Sequence, residues 1–260
     1  MSDLLISVDQ GVGRITINRP QARNSLPSPL YVELKTALQK FEYDPAVRVV
    51  LVTGAGDHFC AGGDIKEFAT TIGLADEARA TFMSNMITNA NGVLQVMERM
   101  PQPVVVSARG MAVGGGLALI LAADLVMISD TCKMSAGQIV IGGIPDACVS
   151  YNLVRLMGLR RAKQYGFLGD QIDAETALEF GLVNWMVPDS ELDERTETLL
   201  ARLAKGPRLA LGLTKAAMNA AHTATMADHC AQEPMDVAAC VLEEDFKRAV
   251  NAMLGKISKQ

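Results

Sequence analysis

The chain is poor in the residues that carry most familiar catalytic motifs. It has only three histidines, His58, His222 and His229, in 260 residues, so a histidine-based triad would need a side chain beside the stretch FCAGGD or one from the tail. Neither a GxSxG nucleophile elbow nor an HExxH helix occurs. The five cysteines (Cys60, Cys132, Cys148, Cys230, Cys240) are odd in number, widely spaced and form no CxxC pair. That pattern fits reduced thiols better than a disulfide framework or a zinc site. A GxxxxGK[ST] loop and a GxGxxG turn after a first strand are both missing, which weakens the nucleotide readings. No stretch approaches the roughly 18 uncharged apolar residues of a membrane span. The first ten residues, MSDLLISVDQ, carry Asp3 and no basic region, unlike a signal peptide. The expectation is a cytoplasmic protein without a membrane partner, and a net charge of −5 argues against nucleic acid as the main partner.

With 49% hydrophobic and 20% charged residues, what is present is the composition of a globular protein. LLISVD and GRITINRP are alternating, β-branched stretches joined by QGVG, which predicts a hairpin. Leu30, Leu34, Leu38 and Phe41 follow at helical spacing, and VRVVLVTG reads as a strand buried on both faces. A polar, mobile stretch is expected around residues 68–80, then a helix ending near QVMERM. Pro101 and Pro103 punctuate before the strand VVVSARG, and the helical LALILAAD leads into the strand LVMISD. After GLVNWMVP the chain reads as helical to its end. The order is that of an α/β protein, with a core over residues 1–195 and a helical oligomerisation region over 196–260.

Two glycine clusters stand out, FCAGGD at 59–64 and GMAVGGGLAL at 110–119. Glycines after a strand or at the first turn of a helix leave backbone N–H groups unpaired and approachable. Two converging amides, one at a helix start with its favourable dipole, would make an oxyanion hole for an enolate or alkoxide. The alternative is that each cluster serves only tight turns and close packing.

Together these stretches resemble the crotonase family, also called enoyl-CoA hydratase/isomerase. ITINRPQARNSL resembles its opening signature, VLVTGAGDHFCAGGDIKEF its first oxyanion loop, PVVVSARGMAVGGGLALILAADLVMIS its second, and GLVNWMV its late strand. The resemblance covers nearly the whole chain. It implies a spiral of ββα units with a C-terminal helical trimerisation region, acyl-CoA thioester substrates, a homotrimer or a homohexamer (a dimer of trimers), and no cofactor apart from the coenzyme A of the substrate. It assigns the oxyanion hole to the N–H groups of Gly63 and Gly115. CoA contacts fall on Ala22, Arg23, Ala61, Ile65 and Lys256, with Arg23 and Lys256 able to pair with phosphates. The bland readings are solvated surface charges for Arg23 and Lys256 and core filler for Ile65. Lys66 is either a phosphate partner or a helix-face cation, and Cys60 is read as a small buried hydrophobe rather than a nucleophile.

The departures from the family's hydratases carry most of the information. The two acid/base glutamates of the hydratases fall here on Ala118 and Gln138. Alanine can move no proton and glutamine cannot exchange one at neutral pH. The remaining carboxylate is Asp146 in IGGIPDACVS. It either makes a turn or helix cap, or stands where isomerases and aromatic acyl-CoA dehalogenases of the family keep a catalytic aspartate. The stretch from GGIPDACVS to GLVNWMV most resembles the ring-epoxyphenylacetyl-CoA isomerase subgroup of phenylacetate catabolism, and fatty acid metabolism is the other setting. The expected activity is acyl-CoA isomerisation, of a double bond or an epoxide ring, with Asp146 as acid/base. Next comes a hydratase of unusual mechanism. Third is a dehalogenase or hydrolase using Asp146 as nucleophile, weakened because no histidine lies between residues 58 and 222. An acyl-CoA-binding scaffold without activity needs Asp146 to be silent.

Overall fold

A computed structural model of the chain describes residues 2–257, with side chains through residue 255. It begins with the expected hairpin, β1 (Leu4–Asp9) antiparallel to β2 (Val12–Ile17). Helix α1 (Ser28–Tyr43) follows, burying Leu30, Leu34, Leu38 and Phe41, the residues whose spacing predicted it. The main sheet continues through β3 (Val49–Gly54), β4 (Val104–Ala108), β6 (Leu125–Ser129) and β9 (Trp185–Val187), each parallel to its neighbour, in the order β1-β2-β3-β4-β6-β9. A second, three-stranded sheet is built from β5 (Met111–Val113), β7 (Lys133–Ser135) and β8 (Ile172–Asp173).

Parallel strands need both faces covered, and the apolar runs in β3 and β4 meet that need. Val50, Val52, Val104 and Val106 face the large core, where α1 and α3 (Asp76–Arg99) pack. On the other face Val49, Leu51 and Val105 meet Leu200 of α8 (Leu192–Ala204). Period-two alternation is hidden in these strands because both sets of side chains are buried. Since α8 packs on the sheet, the division expected at residue 195 runs through a helix.

Between β3 and β4 the structure differs from the polar stretch expected at 68–80. Helix α2 (Ile65–Thr71) already occupies its first part and α3 begins at Asp76, so only a short turn separates two helices. The cause is local. Asp64 caps α2 by accepting from the Lys66 N–H at 3.0 Å, and Asp76 and Glu77 favour the positive end of α3.

After β5 comes α4 (Gly115–Ala122), and past β7 lie α5 (Val149–Met157), α6 (Leu159–Leu168) and α7 (Ala174–Glu179). The chain closes with α9 (Arg208–Ala220), α10 (Met226–Leu242) and α11 (Glu244–Ile257). Helix α9 is tied to the core by Lys215, which pairs with Asp124 at 2.7 Å and donates to the Met97 carbonyl at 2.5 Å. Among the described residues no helix is long and apolar enough to cross a membrane.

Candidate active site

The two glycine clusters, about fifty residues apart in sequence, lie against each other. The Cys60 N–H donates to the Met111 carbonyl at 2.9 Å and the Val113 N–H to the Cys60 carbonyl at 3.0 Å, so the first loop runs as a short parallel bridge along β5. Glycine is obligatory at two contacts here. Gly62 adopts φ +88°, and a Cβ on it would fall 2.6 Å from the Val113 carbonyl oxygen and 3.3 Å from the Gly115 nitrogen. A Cβ on Gly116 would fall 2.3 Å from the Cys60 carbonyl oxygen. Neither the Gly63 N–H nor that of Gly115, the first residue of α4, has an acceptor among the loop and cap hydrogen bonds of the described residues. The first loop and the start of α4 therefore lie side by side, and an amide at the start of a helix is the kind of group that suits a developing oxyanion.

The first loop is held rigidly from below by residues of the opening signature. Buried Asn24 accepts from the Arg19 N–H at 2.8 Å and donates to the carbonyls of Ala55 and His58 at 2.9 and 2.6 Å. Arg19 pairs with Asp64 at 3.0 Å and donates to the Ser25 carbonyl at 2.6 Å, while Glu67 accepts from the Ser28 N–H at 2.8 Å. Burial alone would raise the Asp64 carboxyl. The Arg19 hydrogen bond and the backbone N–H groups of Lys66 and Glu67 outweigh it and hold that carboxyl below the usual range. Burial pushes the Cys60 thiol up to about 12, so it stays protonated, as expected of a packing residue rather than a nucleophile.

Most of the remaining expected contacts gather at this edge. Ala22 and Arg23 end a 3-10 turn, and the Arg23 carbonyl accepts from the Ala61 N–H at 2.9 Å, which joins the signature loop to the first oxyanion loop. The Arg23 side chain is exposed, as are Ile65 and Lys66 in the first turn of α2. Exposure rules out Ile65 as core filler. Lys256 lies on α11, and its side chain falls outside the described residues.

Asp146 lies close to the second loop. It is half-buried, and its carboxylate accepts from the Gln138 amide at 3.1 Å. The same Gln138 side chain stands 3.7 Å from where a Cβ on Gly114 would be, so the carboxylate connects through one side chain to the second oxyanion loop. Burial raises the Asp146 carboxyl from its ordinary value, and the hydrogen bonds from Gln138 and from its own backbone N–H only partly oppose this. The next two residues, Ala147 and Cys148, are both left-handed at φ 45° and 58°, a conformation that costs non-glycine residues of order 1–3 kcal/mol each. Ala118 is buried in α4 and offers no polar atom. Among the described residues, no three His, Cys, Asp or Glu side chains cluster as metal ligands. A groove of about 460 Å³ lies elsewhere, around the Asp124–Lys215 pair, and none of the expected site residues line it.

A profile of the enoyl-CoA hydratase/isomerase family matches residues 7–259. The chain belongs to the enoyl-CoA hydratase/isomerase family. Over 260 residues it is 32% identical to the 1,2-epoxyphenylacetyl-CoA isomerase of Escherichia coli K12, covering all of this chain and 98% of that protein. It is 36% identical over 205 residues to the protein named "Probable enoyl-CoA hydratase echA12" in Mycobacterium bovis, covering 78% and 72% of the two chains. The crystal structure of an enoyl-CoA hydratase from Bacillus anthracis superposes with a TM-score of 0.90 at 28% identity, over 98% of this chain and 97% of that one. The fold is thus the crotonase fold, α/β with a C-terminal helical part. These relatives of the family member described here include both an isomerase and hydratases, so the choice of reaction rests on its own side chains.

Sequence reasoning passed over four residues of this site. Arg19 and Asn24 lay inside the quoted signature and Glu67 inside DIKEF, so their positions were on view though their partners were not. Tyr31 had no signal beyond its place in α1. It is 5% exposed, and its hydroxyl lies 2.6 Å from where a Cβ on Gly115 would stand.

Proposed function

We propose that this protein is an acyl-CoA isomerase that shifts a proton through a thioester enolate, with Asp146 as the single acid/base and the Gly63 and Gly115 N–H groups as the oxyanion hole. The observation that carries the reading is the state of the carboxylates around the two loops. Asp64 is neutralised by Arg19 and Glu67 is held by Ser28, whereas Asp146 has only neutral partners, the Gln138 amide and its own backbone N–H, and a raised pKa. The hydratase glutamate positions hold Ala118 and Gln138.

One carboxylate suffices for a 1,3-proton shift. Asp146 removes a proton from one carbon of the acyl chain, the electrons move onto the thioester oxygen between the two amides, and the protonated carboxyl returns the proton to another carbon. For a ring epoxide next to the enolate, re-forming the thioester carbonyl would make a C=C bond and break the adjacent C–O bond, and the protonated Asp146 would give its proton to the released alkoxide. No proton or electron is consumed, and CoA enters only as part of the substrate. Arg23, Ala22, Ala61 and Ile65 form the edge at which the CoA portion would bind, with Lys256 as a further phosphate partner. The similarity to the E. coli 1,2-epoxyphenylacetyl-CoA isomerase supports a ring-epoxide substrate, and a Δ3/Δ2-enoyl substrate uses the same chemistry. The exposed apolar residues Val237, Val241, Phe246 and Val250 of α10 and α11 support assembly through the tail into trimers or hexamers.

Incubation in deuterated water tests the chemistry. The wild type is expected to exchange deuterium into the α or γ carbon of a substrate analogue, and Asp146→Asn is not. Equal exchange by both proteins would sink the reading. Sedimentation as a monomer at micromolar concentration would remove the assembly.

A further inference from the structure

The two oxyanion loops and Asp146 leave a polar side chain beside the second loop without a task. Tyr31, on the second turn of α1, is 5% exposed in the large core. Its hydroxyl lies 2.6 Å from where a Cβ on Gly115 would stand, against the residue whose N–H opens α4. The neighbouring acceptors are already engaged: Asp64 by Arg19 and Ser25, Glu67 by Ser28, and Asp146 by Gln138. The Tyr31 hydroxyl takes part in no hydrogen bond among the described residues. A tyrosine whose ring is enclosed in the core normally gives its hydroxyl a partner, so this one is open to a partner from outside the protein.

We propose that the Tyr31 hydroxyl is a third hydrogen-bond donor to the thioester oxygen, joining the Gly63 and Gly115 N–H groups as negative charge builds on it. The assignment rests on the acyl-CoA reading above and adds a side-chain donor to a hole otherwise made of backbone. Glycine at 115 has a second use in this arrangement, since any side chain there would collide with the phenol. The phenol remains a donor throughout: burial first, and then the nearby carboxylates of Asp146 and Glu67, oppose its ionisation and push its pKa far up. Tyr31 therefore does not compete with Asp146 as a base. Its hydrogen bond is worth most when the oxygen carries full charge, so it acts on the enolate more than on the bound thioester.

Tyr31→Phe is the direct test, because it keeps the ring and removes only the oxygen. Turnover is expected to fall about tenfold to a hundredfold, somewhat less than for a backbone oxyanion donor, with KM and thermal stability nearly unchanged. A second readout needs no turnover. The carbonyl carbon of bound [1-¹³C]phenylacetyl-CoA should move downfield in the wild type, as donors polarise the C=O bond, and should move less in Tyr31→Phe. A carbonyl difference without isomerisation by either protein would keep Tyr31 in the hole and sink the isomerase reading alone. The same carbonyl position and the same kcat in both proteins would overturn the assignment. Failure of the wild type to bind the labelled thioester would overturn it together with the acyl-CoA reading.

Discussion

Asp64 and Asp146 are two carboxylates held in opposite ways, Asp64 beside the first glycine loop and Asp146 linked through Gln138 to the second. Asp64 lies in a loop fastened at many points: to Arg19, to Ser25, to the amides of α2, and through Asn24 to the turn before it. Its carboxyl is held low, and it holds the backbone still. Asp146 lies on a segment with one side-chain tether, two left-handed residues after it and the exposed apolar Val140, Ile141 and Ile144 before it. Its carboxyl is raised. One fold thus keeps one carboxyl charged among its donors and leaves another desolvated with few, the kind of environment in which a carboxyl can exchange a proton near neutral pH.

Exchanging each aspartate for asparagine should separate the two roles most widely. Asp146→Asn is expected to lower turnover by about 10²–10⁴-fold with acyl-CoA binding nearly intact, because the amide keeps size and polarity but carries no proton. Asp64→Asn should instead cost about 1–3 kcal/mol of stability in a denaturant titration, since Arg19 loses a charged partner in a largely buried place. If the second variant lost turnover while keeping full stability, the contrast would collapse.

A smaller effect follows from the contact between the loops. Gly62→Ala asks for a left-handed alanine against the Val113 carbonyl, and should lower stability by about 1–3 kcal/mol together with activity. Unfolding and turnover measured on the same preparation would show whether the two losses travel together, as a shared rigid hole requires.

The next prediction concerns Gln138. Its amide donates to Asp146 and lowers that carboxyl, so Gln138→Leu should raise the Asp146 pKa further. The acid limb of the kcat/KM profile should then move to higher pH, whereas a purely structural Gln138 would lower the profile without moving it.

The least effect is one of stability and has a definite sign. Asp146 has a raised folded pKa, so its contribution is fully present below the unfolded carboxylate range and is lost as pH rises through the folded value. Asp64 has a lowered one, so its contribution is present above the unfolded range and is lost as pH falls through the folded value. Asp146→Asn should therefore raise the melting temperature slightly at neutral pH, with the gain disappearing in acid. A gain that grew in acid would mean that the Asp146 environment favours the carboxylate.

Much of this molecule was determined by local sequence. The hairpin, the apolar parallel strands, α1 and the helical tail follow from periodicity and turn residues, because each depends on side chains a few positions apart. The two glycine clusters and the loss of both glutamates at Ala118 and Gln138 were equally open to reading, since they are matters of residue type. What tertiary structure alone decided are relations between distant positions. No local rule brings Cys60 to Met111, sets Gln138 between Asp146 and the second loop, or turns Tyr31 toward Gly115. The first and last of those contacts join residues 51 and 84 positions apart, and Gln138 reaches 24 residues back to Gly114. The short turn between α2 and α3 was missed for the same reason: polar residues there suggest a loop, while the cap at Asp64 and packing against the core make helix the lower free energy. Residue types can nominate a proton-moving carboxyl, but its burial and its single side-chain partner exist only once the chain is folded.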